Sequence, residues 1–183
     1  MPILPEEIFD IVDLQDQVIG QASRRETHAR QLRHRAIHVL IFNCQAELLI
    51  QKRALNKDSY PGCYDSSASG HLNAGENYAV AAVREVEEEL GLVLPIAALQ
   101  PQFKLDACAD TGWEFVWVYT VHSAAPVVPN PAEIESVTHM TRREIESLLA
   151  DQPQSCARSF RRILCEIFDR SLFPAHPLPD KLV

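Results

Sequence analysis

Apolar and polar residues follow a pattern typical of β-structure along the first third of the chain. From Glu7 to Asp13, EIFDIVD alternates apolar and polar side chains, which predicts a strand, and Val18 to Ala22 predicts a strand that returns after a turn. The segment from Ala36 to Asn43, AIHVLIFN, is apolar and rich in β-branched residues, so we expect a buried strand whose hairpin partner is Glu47 to Lys52. Between these hairpins, Thr27 to Arg33 predicts a short polar helix or a turn.

The rest of the chain adds strands and helices in mixed order. A loop is expected from Ala54 to Ser69, because Pro61-Gly62 punctuates it. The predicted strands are Gln102 to Ala107, Trp113 to His122 and Ile134 to Met140. The predicted helices are Arg142 to Ala150 and Ser155 to Leu172, the second with an apolar stripe suited to packing. This mixture favours an α/β fold.

One more helix is predicted within SGHLNAGENYAVAAVREVEEELGL, residues 69–92. Asn73 is the expected N-cap, with Glu76 at the third helical position in a variant of the capping box. Gly91 suits a left-handed C-cap, and Leu92 supplies the hydrophobic contact that follows such a cap.

This helix carries three carboxylates on one side. Glu85, Glu88 and Glu89 fall roughly opposite its apolar positions, and like charges at this spacing repel by about a few tenths of a kcal/mol per pair. Either water solvates the acidic face or a cation lies there. The turn from Gly70 to Gly75 leads directly into the helix, and Arg84 precedes the acidic residues. These flanks favour a cation, because hard divalent ions bind several oxygen ligands and Mg²⁺ bridges to substrate phosphates.

Composition supports one domain and argues against several function classes. The chain has 183 residues, 46% of them hydrophobic, which suits a single α/β domain with short extensions. There is no run of about 18 apolar residues, so no membrane span is expected. The N-terminal MPILPEEIFDIVD is acidic where a secretion signal is basic, which favours the cytoplasm. The five cysteines form no CxxC pair, so neither a disulfide framework nor structural zinc is expected.

Charge is distributed unevenly. The net charge of −8 argues against general nucleic-acid binding. A local basic group nevertheless precedes the acidic helix. Its members are Arg24, Arg25, Arg30, Arg33, His34, Arg35, Lys52, Arg53 and Lys57. They either balance acidic neighbours on a solvated surface or form a phosphate-facing rim beside an acidic metal centre.

Residues 70–92 resemble the Nudix signature at each of its constrained positions. In that signature, glycine, five residues, glutamate and seven residues precede arginine-glutamate-aliphatic-any-glutamate-glutamate-any-glycine-aliphatic. The matching residues are Gly70, Glu76, Arg84, Glu85, Val86, Glu88, Glu89, Gly91 and Leu92. The resemblance implies the Nudix fold, an α/β/α sandwich around a mixed sheet, here with an N-terminal β-hairpin extension and a C-terminal helix. It also implies hydrolysis, dependent on Mg²⁺ or Mn²⁺, of a nucleoside diphosphate linked to another group.

Roles for individual residues follow from the same resemblance. It implies that Glu85, Glu88 and Glu89 hold the metal ions, that the Gly70 carbonyl adds a ligand, and that Arg84 orients the glutamates.

A carboxylate is expected to take the proton from the attacking water as general base. Glu88 or Glu89 can do so within the signature. In other family members the base lies on a later loop, where Glu133 and Glu135 are the candidates, unless both are simply surface acids.

A second resemblance extends beyond the signature. LRHRAIHVLIFNCQAELLIQKRALNKDSYPGCYDSSASGH is similar to the isopentenyl-diphosphate isomerase-like branch, and the likeness covers roughly residues 7–150. That branch contains isomerases and bacterial hydrolases. The isomerases have a cysteine just before the Gly-His pair that matches Gly70-His71, whereas this chain has Ser69. They also carry a degraded signature, whereas this one is complete. Both differences favour hydrolysis.

Two alternatives stay open beside hydrolysis. His34, His71 and Glu114 fall where isomerases place metal ligands or acidic catalytic groups, which keeps an isopentenyl-diphosphate delta-isomerase as one alternative. A non-catalytic nucleotide-sensing module is the other, although such a module has no need of a complete signature.

The expected substrate is a small-molecule diphosphate. Its candidate binding residues are Arg53, Lys57, His34, His71 and Glu114, with Tyr60, Tyr64 and Trp113 as candidates for an aromatic rim. A homodimer is left open. The expected division is a hairpin and linker in residues 1–34, a Nudix hydrolase domain in 35–150, and a C-terminal helix and tail in 151–183.

Overall fold

A two-stranded sheet and a seven-stranded sheet make up the β-structure of residues 6–175, the part of the chain that the computed structural model describes. The strands are β1 (Ile8–Val12), β2 (Val18–Ser23), β3 (His34–Phe42), β4 (Leu48–Arg53), β5 (Tyr64–Asp65), β6 (Ala68–His71), β7 (Gln100–Leu105), β8 (Glu114–His122) and β9 (Ile134–Met140). The helices are α1 (Arg24–Ala29), α2 (Tyr78–Leu90), α3 (Arg142–Asp151) and α4 (Arg158–Asp169).

The larger sheet is mixed. Its strand order is β5-β4-β3-β8-β7, with β6 also paired to β3 and β9 also paired to β4. The central pair, β3 and β8, is parallel, and all the other pairs are antiparallel.

The hairpin of β3 and β4 separates soon after its turn. The two strands pair only at Ile41 with Leu49 and at Phe42 with Leu48. Beyond this point β6 pairs with β3, and β5 pairs with β4. The Ser67 hydroxyl accepts from the Ile41 N–H at 2.8 Å and donates to the Leu49 carbonyl, so it satisfies both backbone groups at the point of separation. The separation leaves room for a cleft between the two halves of the sheet.

Strand β3 is buried on both faces, and its side chains alternate between two cores. Leu40 and Phe42 pack with α3 and α4 on one face, whereas Val39 and Ile41 pack with α2 on the other. Helices therefore cover both faces of a mixed sheet, and the predicted α/β/α sandwich is confirmed.

The predicted N-terminal hairpin is also confirmed, and it packs against its own chain. β1 and β2 are antiparallel, the Val12 N–H donates to the Arg33 carbonyl at 2.9 Å, and the Ala74 N–H donates to the Ile8 carbonyl at 2.8 Å. Asp16, in the turn of the hairpin, accepts from Arg35 at 2.6 Å. These contacts hold the hairpin beside the loop between β6 and α2.

The start of α2 differs from the prediction. The helix begins at Tyr78, and its N-cap is Asn77, whose side chain accepts from the Val80 N–H at 3.0 Å. The predicted cap at Asn73 is wrong, because Gly75 has a φ of 78°, a left-handed conformation that cannot lie inside a right-handed helix. The predicted end is confirmed: Gly91 is a left-handed C-cap with a φ of 63°.

Other boundaries differ as well. The first helix begins at Arg24, three residues before the predicted start, and Ser23 caps it. The predicted loop from 54 to 69 contains β5 and the start of β6. The last helix begins at Arg158, after a single 3₁₀ turn at Pro153–Ser155.

No helix within residues 6–175 is long and apolar enough to cross a membrane. The division into residues 1–34, 35–150 and 151–183 stays a prediction, and residues 1–5 and 176–183 lie outside the described range.

Candidate active site

A cleft of about 1290 Å³ opens where β3 and β4 separate. Its walls come from β3, β6, the second half of α2, the loop after β4, the loop before β9, and the N-terminal segment around β1 and α1. Acidic and basic side chains both face it. Most residues predicted for the site line this cleft, whereas His34, Glu135, Tyr64 and Trp113 do not.

Glu85 lies directly against Gly70. A Cβ on Gly70 would come within 2.1 Å of the Glu85 Cδ, so only glycine leaves room for this carboxylate where it lies. Burial raises the pKa of Glu85 to about 7, although the Arg84 guanidinium opposes the shift. The helix therefore presents a desolvated carboxylate next to the backbone of β6.

Glu89, one helical turn later, is the most buried of the three signature carboxylates. Only 5% of it is exposed. Its Oε2 accepts from Gln51 Nε2 at 2.9 Å and from the Ser69 N–H at 3.2 Å. Burial, and then the negative charge of Glu85, raise the pKa of Glu89 to about 8. The expectation that all three glutamates lie opposite the apolar side of α2 is therefore wrong for Glu89, which packs into the sheet.

Arg84 connects the helix to the loop before it. Its Nε and Nη2 donate to the two carboxylate oxygens of Glu76, each at 2.9 Å, and Nη2 also donates to the His71 carbonyl at 2.9 Å. Nη1 donates to Glu85 at 2.8 Å and to Glu88 at 3.0 Å. The hydrogen bond to Glu76 raises the pKa of Arg84 above its ordinary value. Arg84 thus orients two of the three carboxylates predicted to bind metal.

These carboxylates fit a divalent cation. Glu85 and Glu89 have pKa values raised to about 7 and 8, so each buried charge lacks a sufficient counter-charge within the described chain. Glu88 and Glu89 lie in the last turn of α2, where the partial negative charge of the helix end adds to theirs. Hard oxygen donors concentrated at such a place are the ligands that Mg²⁺ and Mn²⁺ prefer.

The loop before β9 brings Glu133 to the rim of the cleft. The Asn130 N–H donates to the Glu89 carbonyl at 2.8 Å, which joins this loop to the end of α2. Glu133 forms an ion pair with Lys57. Glu135 instead pairs with Lys52 at 2.9 Å and does not line the cleft. Of the two candidates for a base on the later loop, Glu133 therefore lies in the cleft and Glu135 lies outside it.

Arg53 and Lys57 supply positive charge to the cleft. Arg53 Nε donates to the Ser59 carbonyl at 3.0 Å and its Nη1 to Asp65 at 3.2 Å, which leaves Nη2 uncommitted among the described residues. Lys57 is 18% exposed beside Glu133. Both therefore lie on the cleft wall at fixed positions.

Three imidazoles and a carboxylate cluster at the other end of the cleft. His28, His34 and His71 each offer a ring nitrogen, and these nitrogens lie within 4.8 Å of one another. Glu114 Oε1 lies 3.0 Å from His71 Nε2 and 3.5 Å from His34 Nε2. Phe9 stacks on the rings of His34 and His71, with centroids 5.5 and 4.7 Å apart.

The protonation of this cluster follows from its burial. Burial lowers the pKa of His71, and burial together with the neighbouring histidines lowers that of His28 to about 4. Burial alone would raise the pKa of Glu114, but the neighbouring imidazoles of His34 and His71, the second in hydrogen-bond contact, outweigh it and hold the pKa well below its usual range. The lowered pKa values favour the neutral form of His28 and His71, and a neutral imidazole is the form that binds a transition metal.

Several residues in or beside the cleft were absent from the sequence prediction. His28, His38 and Asp65 line the cleft, and Gln51 contacts Glu89 from β4. His38 and Gln51 lie on predicted strands, where a polar residue among apolar ones signals a buried polar contact. Of the three aromatic candidates for the rim, Tyr60 lines the cleft, whereas Tyr64 packs against the core and Trp113 lies under the Arg33 guanidinium.

Known proteins are similar to this chain in sequence and in fold. Residues 32–162 match the NUDIX domain family. An uncharacterized Nudix hydrolase of Yersinia pestis is 40% identical over 141 residues, covering 76% of this chain and 75% of that protein. One of Streptomyces coelicolor is 37% identical, covering 80% of this chain and 81% of that protein. A Deinococcus radiodurans crystal structure superposes with a TM-score of 0.71 at 30% identity, covering 80% of this chain and 90% of that one.

Proposed function

The chain belongs to the NUDIX domain family and is a pyrophosphohydrolase, and from this premise we propose that it cleaves the diphosphate bond of a nucleoside diphosphate linked to another group. The observation that carries the proposal is the convergence of Glu85, Glu88 and Glu89 beside Gly70 in a cleft that Arg53 and Lys57 also line. Hydrolysis of a diphosphate needs both the acidic and the basic side chains, because the charge of the diphosphate must be neutralised while a water is activated.

Nudix enzymes generally use divalent metals. We propose that Glu85, Glu88, Glu89 and the Gly70 carbonyl hold Mg²⁺ or Mn²⁺. When bound, the metal supplies positive charge to the phosphoryl oxygens and lowers the pKa of a coordinated water.

The chain's own residues bind the diphosphate and orient the glutamates. Arg53 and Lys57, which line the cleft, attract the anionic diphosphate, and Arg24 adds positive charge next to the N-terminal hairpin. Arg84 is itself held by two hydrogen bonds to Glu76, and it orients Glu85 and Glu88 through ion pairs. Glu89, with its raised pKa, is suited to accept a proton from water near neutral pH, and Glu88 is its alternative within the signature.

Glu133 is a further candidate base. It lines the cleft, and its ion pair with Lys57 can be exchanged for a contact between Lys57 and the substrate. His71 and Glu114 are proposed to bind substrate at the far end, with His34 behind them.

Replacement of Glu89 by glutamine tests the proposal. We expect Glu89→Gln to lower kcat by about 10²- to 10⁴-fold, because the amide neither binds a cation well nor accepts the proton. The measurement is a hydrolysis screen with Mg²⁺ and Mn²⁺ over nucleoside diphosphates, nucleotide sugars, dinucleoside polyphosphates and coenzyme A derivatives, followed by kinetics on the best substrate.

Glu87→Gln is the matched control, because Glu87 lies on the same helix but is exposed to solvent. Its kcat should stay within about twofold of wild type. If Glu89→Gln has the kcat of the wild-type protein, Glu89 is not required for catalysis. Failure of the whole screen, together with tight binding of one nucleotide, would favour the sensing module instead.

A second candidate is supported by the cluster of His28, His34, His71 and Glu114. By the resemblance to the isopentenyl-diphosphate isomerase-like branch, such a site belongs to an isomerase, and membership of that branch is part of our proposal. Ser69 argues against this activity, because a serine cannot supply the thiol of the isomerases. Conversion of isopentenyl diphosphate without phosphate release, followed by NMR, would establish it.

A further inference from the structure

Gln51 is a buried polar residue in an otherwise apolar part of β4. It is 1% exposed, follows Leu48, Leu49 and Ile50, and pairs across the sheet with Asp65 of β5 and Val137 of β9. A side-chain amide at such a position needs a hydrogen-bond partner, because a buried polar group without one is unfavourable. Its partner is the carboxylate of Glu89, 38 residues later in the chain.

The contact leaves one carboxylate oxygen free. Gln51 Nε2 and the Ser69 N–H both donate to Oε2 of Glu89, at 2.9 and 3.2 Å. Within residues 6–175, no donor is bonded to Oε1. Two donors from two different strands thus determine the rotation of the carboxylate and direct its second oxygen away from both of them.

The donors of Glu89 are neutral, whereas the donor of Glu85 is a cation. Arg84 neutralises part of the charge on Glu85. Gln51 orients Glu89 without neutralising it, so the full negative charge stays available to a metal ion. Partners of this kind, which hold a ligand rather than the ion, fix ligand geometry, and their loss typically weakens metal binding or activity by about 10- to 100-fold.

We propose that Gln51 is a positioning residue that acts through Glu89, holding its carboxylate so that Oε1 is presented to the divalent cation. The inference rests on the proposed role of Glu89 as a metal ligand. It assigns a task to a strand residue that lies outside the signature segment.

Mn²⁺ binding to the full chain gives a readout that does not require turnover. The dissociation constant is measured by electron paramagnetic resonance on metal-depleted protein, and kcat and KM are measured with Mg²⁺ on the best substrate. Gln51→Leu keeps the volume but removes the donor. Gln51→Asn keeps an amide that is one methylene too short to reach. We expect both variants to bind Mn²⁺ about 10- to 100-fold more weakly and to lower kcat similarly with little change in KM.

Gln102→Leu is the matched control. Gln102 is also a strand glutamine whose Nε2 donates to a neighbouring strand, to Thr120 at 2.7 Å, but within the described residues it donates to no signature glutamate. Melting temperatures identify loss of folding. If Gln51→Leu does not fold, Gln51→Asn alone decides the result. Wild-type Mn²⁺ affinity and kcat in a folded Gln51 variant would overturn the inference.

A double-mutant cycle tests whether Gln51 acts through Glu89. In a Glu89→Gln background, Gln51→Leu should change Mn²⁺ affinity by less than about twofold, because the carboxylate that it orients is gone. The same loss in both backgrounds would show that Gln51 acts elsewhere and would overturn the inference. Unchanged Mn²⁺ affinity and turnover in Glu89→Gln alone would instead contradict the proposed function, so the two failures are distinguishable.

Discussion

At the scale of single residues, the three signature glutamates differ in their surroundings although they share one helix. Glu85 rests on Gly70, Glu89 is buried against β4 and β6, and the Glu88 side chain is 58% exposed. Burial accounts for the raised pKa of both Glu85 and Glu89. The sequence pattern groups the three residues, and the neighbours that distinguish them come from other elements.

Gly70→Ala should impair function more than folding. The new Cβ would displace the Glu85 carboxylate, which is the flexible end of a side chain, so we expect the free energy of unfolding to change by less than about 1 kcal/mol. We expect kcat and Mn²⁺ affinity to fall by about 10- to 100-fold, because a predicted ligand is moved. Urea denaturation and steady-state kinetics measure the two effects.

Gly20→Ala is the control, since a Cβ there meets nothing within 4 Å. It should leave kcat unchanged. A Gly70→Ala enzyme with wild-type kcat would show that the position of Glu85 is not critical.

At the scale of elements, α2 shows which sequence signals were sufficient to predict the ends of a helix. Its C-terminal end agrees with the prediction from Gly91, because a left-handed residue suits glycine and stops a helix locally. Its N-terminal end does not, because Asn73 and Asn77 both precede plausible first turns. The left-handed Gly75 lies between them and decides in favour of Asn77.

Asn77→Ala should lower the free energy of unfolding by about 1 kcal/mol, since its side chain accepts from the Val80 N–H at 3.0 Å. Asn73→Ala should lower it by less than about 0.5 kcal/mol, because the Asn73 side chain makes no hydrogen bond within the described residues. Urea denaturation of both variants with EDTA present compares them. An equal or larger loss from Asn73→Ala would contradict the observed cap.

At the scale of the whole molecule, the separation of β3 from β4 produces the cleft and buries titratable groups around it. His38, beneath the cleft, lies 2.6 Å from the Ser66 hydroxyl and is 4% exposed. Burial lowers the pKa of His38 and of His71 below the ordinary value of 6.5. The folded protein therefore keeps these imidazoles neutral at a pH where the unfolded chain protonates them.

The contribution of His38 and His71 to stability should consequently fall as pH decreases below about 6.5. At these two imidazoles the unfolded state binds more protons than the folded state, so their contribution is fully present above the ordinary histidine pKa and is lost toward the lowered values. Glu85 and Glu89, whose pKa values are raised, act in the opposite direction when no metal is bound, because the folded state keeps their protons at a pH where the unfolded chain has released them. Glu114, whose pKa lies well below its usual range, keeps its contribution down to about pH 4.5 and does not offset the loss. Urea denaturation in EDTA at about pH 7.5, 6.5 and 5.5, on the wild-type protein and on histidine variants, measures how the free energy of unfolding depends on pH.

The free energy of unfolding of the wild-type protein minus that of His38→Gln should decrease as pH falls, whereas the difference between the wild-type protein and His139→Asn, at an exposed position, should stay constant. A difference between the wild-type protein and His38→Gln that is the same at all three pH values would contradict the expectation. The cytoplasmic location and the homodimer stay predictions from the sequence at this scale.

The sequence by itself determined the local arrangements. The signature spacing places Gly70 before the helix and Glu85 and Glu89 one turn apart, and the apolar run of β3 indicates a strand buried on both faces. These features depend on the period of a helix or strand, which acts over a few residues. Only the tertiary structure decided which distant residues meet them, such as Gln51 on Glu89. Such contacts depend on the register of strands that separate after two paired positions, and no local pattern encodes that register.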